Sequence, residues 1–123
     1  MGLNRKYVNK KMTRDQIFTD EMSGVFQFKP DQSRVLWHQS GFQNVFGSLC
    51  VCYETGDASE LLVSIHGNRK ERSFVVPIRN ARTITLNNFS RVKVSCLLKD
   101  VVHPLTGRFT LITHYSHPKG ILL

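Results

Sequence analysis

A chain of 123 residues with 41% hydrophobic content has room for one domain and one core, since about 60–70% of the unfolded surface is buried at this size without help from disulfides or metal. The net charge of +8, with a pI near 9.8, suits nucleic acid, an anionic surface or an acidic protein, and speaks to association rather than to fold. Three cysteines are too few for a small secreted disulfide scaffold, and no apolar run approaches the roughly 18–20 residues of a membrane span.

The first 23 residues read as a basic arm. Arg5, Lys6, Lys10, Lys11 and Arg14 fall within residues 1–14, which carry no acid, and no apolar period is sustained there. A short surface helix over residues 7–17 is the competing reading. The basic start lacks the apolar stretch of a secretory signal, so placement on a surface would come from assembly. The body is expected over residues 24–116 and an apolar tail over 117–123, which ends Ile121-Leu122-Leu123.

Within the body, residues 24–28 (GVFQF) predict a strand, closed by Lys29-Pro30-Asp31, because Pro30 holds Lys29 extended and has no N–H to donate. Residues 34–38 (RVLWH) predict the next. Residues 42–46 predict a third strand or the lead-in to residues 49–53 (LCVCY), with Gly47-Ser48 as a bend or bulge between them. The turn 54–58 (ETGDA) leads to residues 60–66 (ELLVSIH). Residues 73–78 (SFVVPI) follow, with Pro77 pointing to an edge or a bulge. Residues 83–86 (TITL) and 92–96 (VKVSC) alternate cleanly around a turn at Asn87-Asn88. A loop over 99–107 precedes the last strand, 109–115 (FTLITHY). Seven or eight strands with turn signals every 8–12 residues, and no apolar spacing of helical period, predict an antiparallel sandwich or jelly roll.

Residues 49–53 carry the sharpest chemistry. Period-two alternation puts Leu49, Val51 and Tyr53 on one face and Cys50 and Cys52 on the other. If the apolar trio faces the core, both thiols face outward, where they are candidates for an intermolecular disulfide or thiol exchange. Half a metal site with His66, His114 or His117 is a second reading, and two small inert residues a third. Positions i and i+2 of a strand lie about 6.5–7 Å apart, so a Cys50–Cys52 bond would be strained. No second cysteine pair completes a zinc motif. Cys96 falls on an apolar face with Val92 and Val94, as a buried small hydrophobe would. An odd cysteine count leaves at least one thiol unpaired within the chain.

Catalytic, phosphate-binding and dinucleotide motifs are missing, and with nine acids a carboxylate site is not indicated. A cupin-like site would need His38, His66 and His114 to converge inside the barrel. Arg79, Arg82, Arg91 and Lys93 are candidates for a cationic strip on one outer face. The aromatics Phe26, Phe28, Phe42, Phe46, Phe74 and Phe109 fall in strand alternation and are assigned to the core, which argues against a base-stacking platform and so against nucleic acid.

Residues 34–66, RVLWHQSGFQNVFGSLCVCYETGDASELLVSIH, resemble the same stretch of endospore appendage (Ena-type) fibre subunits of spore-forming bacilli. The shared features are the apolar strand ending near an aromatic, Gln43-Asn44-Val45-Phe46-Gly47-Ser48, the alternating strand, the Glu54-Thr55-Gly56 turn and the apolar strand after it. The rhythm continues through Thr83-Ile84-Thr85-Leu86, Asn88-Phe89 and Val92-Lys93-Val94 to residues 109–115, so the likeness covers about residues 25–116. It implies an eight-stranded jelly roll that stacks by sheet augmentation into fibres, with disulfides running from an N-terminal connector to jelly rolls of neighbouring subunits. This chain has no cysteine before Cys50. The resemblance therefore implies a member that accepts disulfides, through Cys50, Cys52 or Cys96, without donating them.

The resulting expectation is a structural, non-enzymatic protein without cofactor or metal. It would be made in the mother cell, sit on the exosporium or coat, and anchor or assemble appendage fibres. Expected partners are appendage subunits with N-terminal cysteines, exosporium or coat proteins, and further copies of the chain, with no membrane and no nucleic acid. A phage or viral shell or tail component is the alternative, as is a carbohydrate-binding sandwich built around surface aromatics such as Trp37.

Overall fold

A computed structural model describes residues 15–39, 43–67, 70–97 and 101–118. The five cations of the arm, the 40–42 connection and the apolar tail lie outside these residues. Eight strands run β1 (Asp15–Phe28), β2 (Ser33–His38), β3 (Gln43–Thr55), β4 (Glu60–Gly67), β5 (Glu71–Pro77), β6 (Asn80–Asn87), β7 (Phe89–Ser95) and β8 (Leu105–Pro118). They pair antiparallel in two four-stranded sheets, β1-β8-β3-β6 and β2-β7-β4-β5. In that order consecutive strands repeatedly cross from one sheet to the other, which makes the fold an eight-stranded jelly roll.

The alternation read from the sequence builds the core. Leu49, Val51 and Tyr53 of β3 are fully buried against Leu61 and Val63 of β4 and Val92 and Val94 of β7, with Phe26, Phe28, Leu105 and Leu111 completing the layer. The buried Tyr53 hydroxyl donates to the Ala58 carbonyl at 2.7 Å, which ties the β3–β4 turn to the core. Pro77 ends β5, an edge strand, where its missing N–H breaks no ladder. Asn88 takes φ 53° between β6 and β7, a conformation asparagine tolerates.

Strand β8 runs from Leu105 to Pro118, so it begins inside the expected 99–107 loop and includes residues 117–118 of the expected tail. Three further features differ from the sequence pattern. Strand β1 starts at Asp15, so residues 15–23, expected in the arm, are paired with β8 from the outset. The pattern hid this because Thr19, Asp20 and Glu21 are all exposed: a strand that buries little at its start shows no alternation. Gly47-Ser48 is no bend. Strand β3 runs through it, and a Cβ at Gly47 would sit 1.8 Å from the Ile112 carbonyl oxygen, so glycine lets β3 and β8 close up. At Gly107 the same change would meet the Cys52 carbonyl at 2.1 Å. Phe46, assigned to the core, points outward with 41% exposure and packs on the His114 ring at 5.1 Å.

Two arginines bridge the open sides of the sandwich. Arg34 of β2 donates from Nη2 to the Gln27 carbonyl of β1 at 2.8 Å. Arg82 of β6 donates from Nη1 to the Val75 carbonyl of β5 at 3.2 Å and lies 5.5 Å from the Phe74 ring centroid. Each covers a carbonyl that an edge strand would otherwise offer to another chain.

The chain leaves β8 beside the start of β1, Pro118 facing Asp15, while Leu105 faces Phe28 at the other end. One pole, the terminal pole, therefore carries Asp15 and Pro118 with the end of β4 at Gly67 and the start of β5 at Glu71. The opposite, loop pole carries the 29–32 and 56–59 connections and residues 96–97 and 101–104.

Candidate functional site

Cys50 and Cys52 occupy the outer face of β3, opposite the buried trio, and both are half-buried. The register across the sheet defines their surroundings. Cys50 lies in the row Ser23–Thr110–Cys50–Thr83, and Cys52 in the row Val25–Arg108–Cys52–Ala81. Around them lies a shallow hollow of about 350 Å³, lined by both thiols, by the small residues Ser23, Gly24 and Thr110, and by the larger Val25, Arg108 and Phe109. Val25, 78% exposed, forms its apolar side.

The electrostatics around Cys52 favour its neutral thiol. Burial pushes Cys52 up first, and the Cys50 sulfur adds to this by its charge and by a thiol–thiol hydrogen bond. Arg108 acts in the opposite sense, but its Nε donates to Glu54 Oε2 at 2.8 Å, and that carboxylate raises Cys52 again. A thiol held protonated is a poor nucleophile at neutral pH, unlike the lowered-pKa cysteines of thiol enzymes. A neutral thiol of this kind oxidises slowly rather than turning over rapidly.

Cys96 stands elsewhere. It follows β7 at the loop pole, half-buried against the core rather than fully buried as its alternation predicts. The strand has ended at Ser95, so the face that buries Val92 and Val94 no longer has a full layer above it. The structure does not bring Cys96 to the thiol face.

His38, His66 and His114 do not converge. His38 and His66 flank Arg91 on the outer face of the second sheet, and His114 lies on the outer face of the first, where its ring contacts Thr19 and Phe46. Among the described residues, no group of three or more His, Cys, Asp or Glu is placed to hold a metal ion. The expected cationic strip is divided in the same way. Arg91 and Lys93 are on β7, while Arg82 is engaged with β5 across the opposite open side. Trp37 is half-buried against Phe89 at 5.1 Å, so it supplies no open platform for a sugar.

Sequence reasoning missed a second feature. His103 Nδ1 and Asp57 Oδ2 form a short contact that clasps the β3–β4 turn to the β7–β8 loop. The two residues are 46 positions apart, so no local pattern could announce the pair. That bond holds the Asp57 carboxyl below its ordinary range.

Comparison with known proteins agrees with this architecture. A structure described as a Bacillus endospore appendage, from a family of disulfide-linked pili, superposes with a TM-score of 0.70 at 14% identity over 82% of this chain and 88% of its own. A structure of infectious bursal disease virus, Gx strain, gives a TM-score of only 0.37 at 10% identity, over 83% of this chain and 38% of its own. No curated protein matches the sequence. The family profile described as endospore appendages matches residues 7–117, nearly the whole chain, and the protein therefore belongs to the endospore appendage family.

Proposed function

We propose that this protein is a structural part of an endospore appendage that anchors or assembles the fibre by accepting disulfides from neighbouring subunits at Cys50 and Cys52. Family membership supports the coarser part of this reading, a spore-surface appendage protein that works by assembling with other subunits. The observation that carries the finer part is the outward thiol pair in its shallow hollow. An extended segment laid along that hollow, beside the Arg108 side chain, would bring its cysteine to either sulfur.

Sheet edges provide the non-covalent half of the contact. Strand β6 borders β3, so a strand added at the β6 edge would lie about 10 Å from the thiol strand, two strand spacings away. Arg82 restricts pairing along β5, and Arg34 does so along the end of β1. No cysteine precedes Cys50 in residues 1–49, so the expected donor is another appendage subunit with an N-terminal cysteine. The basic residues Arg5, Lys6, Lys10, Lys11 and Arg14 would then dock on an anionic layer of the exosporium or coat. Synthesis in the mother cell follows from that location.

The test mixes the purified protein with a cysteine-donating appendage subunit in glutathione disulfide. Each new bond takes one hydrogen from each of two thiols, and glutathione disulfide is reduced to two glutathione molecules. A reducible heterodimer is expected on a non-reducing gel, with the linked peptide containing Cys50 or Cys52. Cys50→Ser/Cys52→Ser should abolish it and Cys96→Ser should not. Undiminished attachment to a partner stripped of its donor cysteines would overturn the proposal.

A further inference from the structure

The loop pole holds a second hollow, larger than the one at the thiols and unrelated to them. It has a volume of about 730 Å³. Pro30, Cys96, Leu97, Val101 and Val102 give it an apolar lining, and Lys29 and Asp31 add charge. Leu97 is 57% exposed and Val102 is 78% exposed, so two large aliphatic side chains lining the hollow face solvent. Such a concentration at one end of a small domain marks a contact surface.

The sequence contains a segment suited to it. After Pro118 come Lys119 and Gly120, then three consecutive aliphatic residues, Ile121, Leu122 and Leu123. This segment starts at the terminal pole, because Pro118 faces Asp15, whereas the hollow lies beyond Phe28 and Leu105. Strand β8 has 14 residues and so spans about 43 Å at roughly 3.3 Å per residue. Five residues reach at most about 18 Å. The tail therefore cannot fill the hollow of its own domain.

We infer that residues 119–123 of one copy dock in the hollow between Pro30 and Val102 of a second copy. The aliphatic triad covers Leu97 and Val102, and Lys119 approaches Asp31. Donor and acceptor lie at opposite poles, so the contact is heterologous and generates a chain or a closing ring of copies rather than a two-fold dimer. It rests on none of the thiol chemistry above, and the test removes that chemistry.

The experiment uses a Cys50→Ser/Cys52→Ser/Cys96→Ser background. One preparation also carries Leu122→Cys, and a second, of different tag mass, carries Val102→Cys. The two are mixed and oxidised with diamide, which accepts the two hydrogens lost as the sulfurs join. A mixed dimer is expected to form at least tenfold faster than with a control partner carrying Arg72→Cys, at the terminal pole. Adding Leu97→Asp to the Val102→Cys partner should remove that advantage. A chain carrying both Leu122→Cys and Val102→Cys should give intermolecular ladders. Sedimentation of the protein with its native cysteines should lose concentration-dependent association when residues 119–123 are deleted. Mixed dimers no faster than the control, or an internal disulfide within one copy at high dilution, would overturn the inference.

Discussion

The two sheets of the sandwich share a core but have different outer faces. In the first sheet, β1, β8 and β3 are 14, 14 and 13 residues long, and the middle of the outer face carries Ser23, Val25, Thr110, Arg108, Thr83, Ala81 and the two thiols. In the second, strands of 6 to 8 residues carry the row His38–Arg91–His66–Glu71 across all four strands. Small neutral side chains such as Ser23, Thr110 and Thr83 cost little to desolvate around Cys50, although Arg108 stands beside Cys52. A row of charged and imidazole groups is costlier to take out of water, and in the second sheet His66 Nε2 and Arg91 Nε are already buried without a hydrogen bond.

The largest effect on this contrast is expected from the glycine that lets the thiol strand approach β8. Gly47→Val should destabilise the fold by about 4 kcal/mol or more, since the new side chain meets a backbone carbonyl that cannot move aside. Urea unfolding would measure it. A loss under about 1 kcal/mol would show that β3 and β8 are not so closely apposed. Next comes the shared core. Leu111→Ala, at a fully buried site beneath the thiol face, should cost about 2–5 kcal/mol and lower cross-linking at Cys50 only in proportion to the unfolded fraction.

Cys50→Ser/Cys52→Ser should change stability by less than about 1 kcal/mol, because both side chains are outside the core. Alkylation of Cys52 should sharpen the same point. Its rate should climb with pH and not level off until above the ordinary cysteine range, because burial and Cys50 push the thiol up. A plateau at neutral pH would contradict this reading. The smallest effect concerns the loop clasp. The folded state lowers the Asp57 pKa, so its contribution is full above the ordinary aspartate range and fades as pH falls from there through the lowered value. Urea midpoints between pH 5 and pH 2 should shift slightly less in His103→Ala than in the wild type, since both groups are exposed and solvent screens the pair.

Legibility in the sequence followed the range of the interaction. Strands β3, β4 and β7 were visible because each buries one face, and period-two alternation is written into consecutive residues. The start of β1 was not, because Thr19, Asp20 and Glu21 remain exposed although paired. Phe46 followed the alternation of β3 but fell on its outer side, where an aromatic residue is unexpected until His114 is seen beside it. Gly47 looked like a break because nothing local reveals the carbonyl of Ile112.

By itself the sequence determined that the chain is all-β, where most turns fall, and that Cys50 and Cys52 share a face opposite Leu49, Val51 and Tyr53. These properties depend on residues within a few positions of one another, and the backbone pleat enforces them wherever the strand is placed. Only the tertiary structure decided which strands flank β3, and therefore which residues surround the thiols, that Cys96 stands apart from them, and that Pro118 and the apolar hollow occupy opposite poles. Those properties depend on first-sheet pairings between residues 27 to 103 positions apart, from Tyr53 with Asn80 to Asp15 with Pro118, and on a sheet order that the jelly-roll path alone establishes.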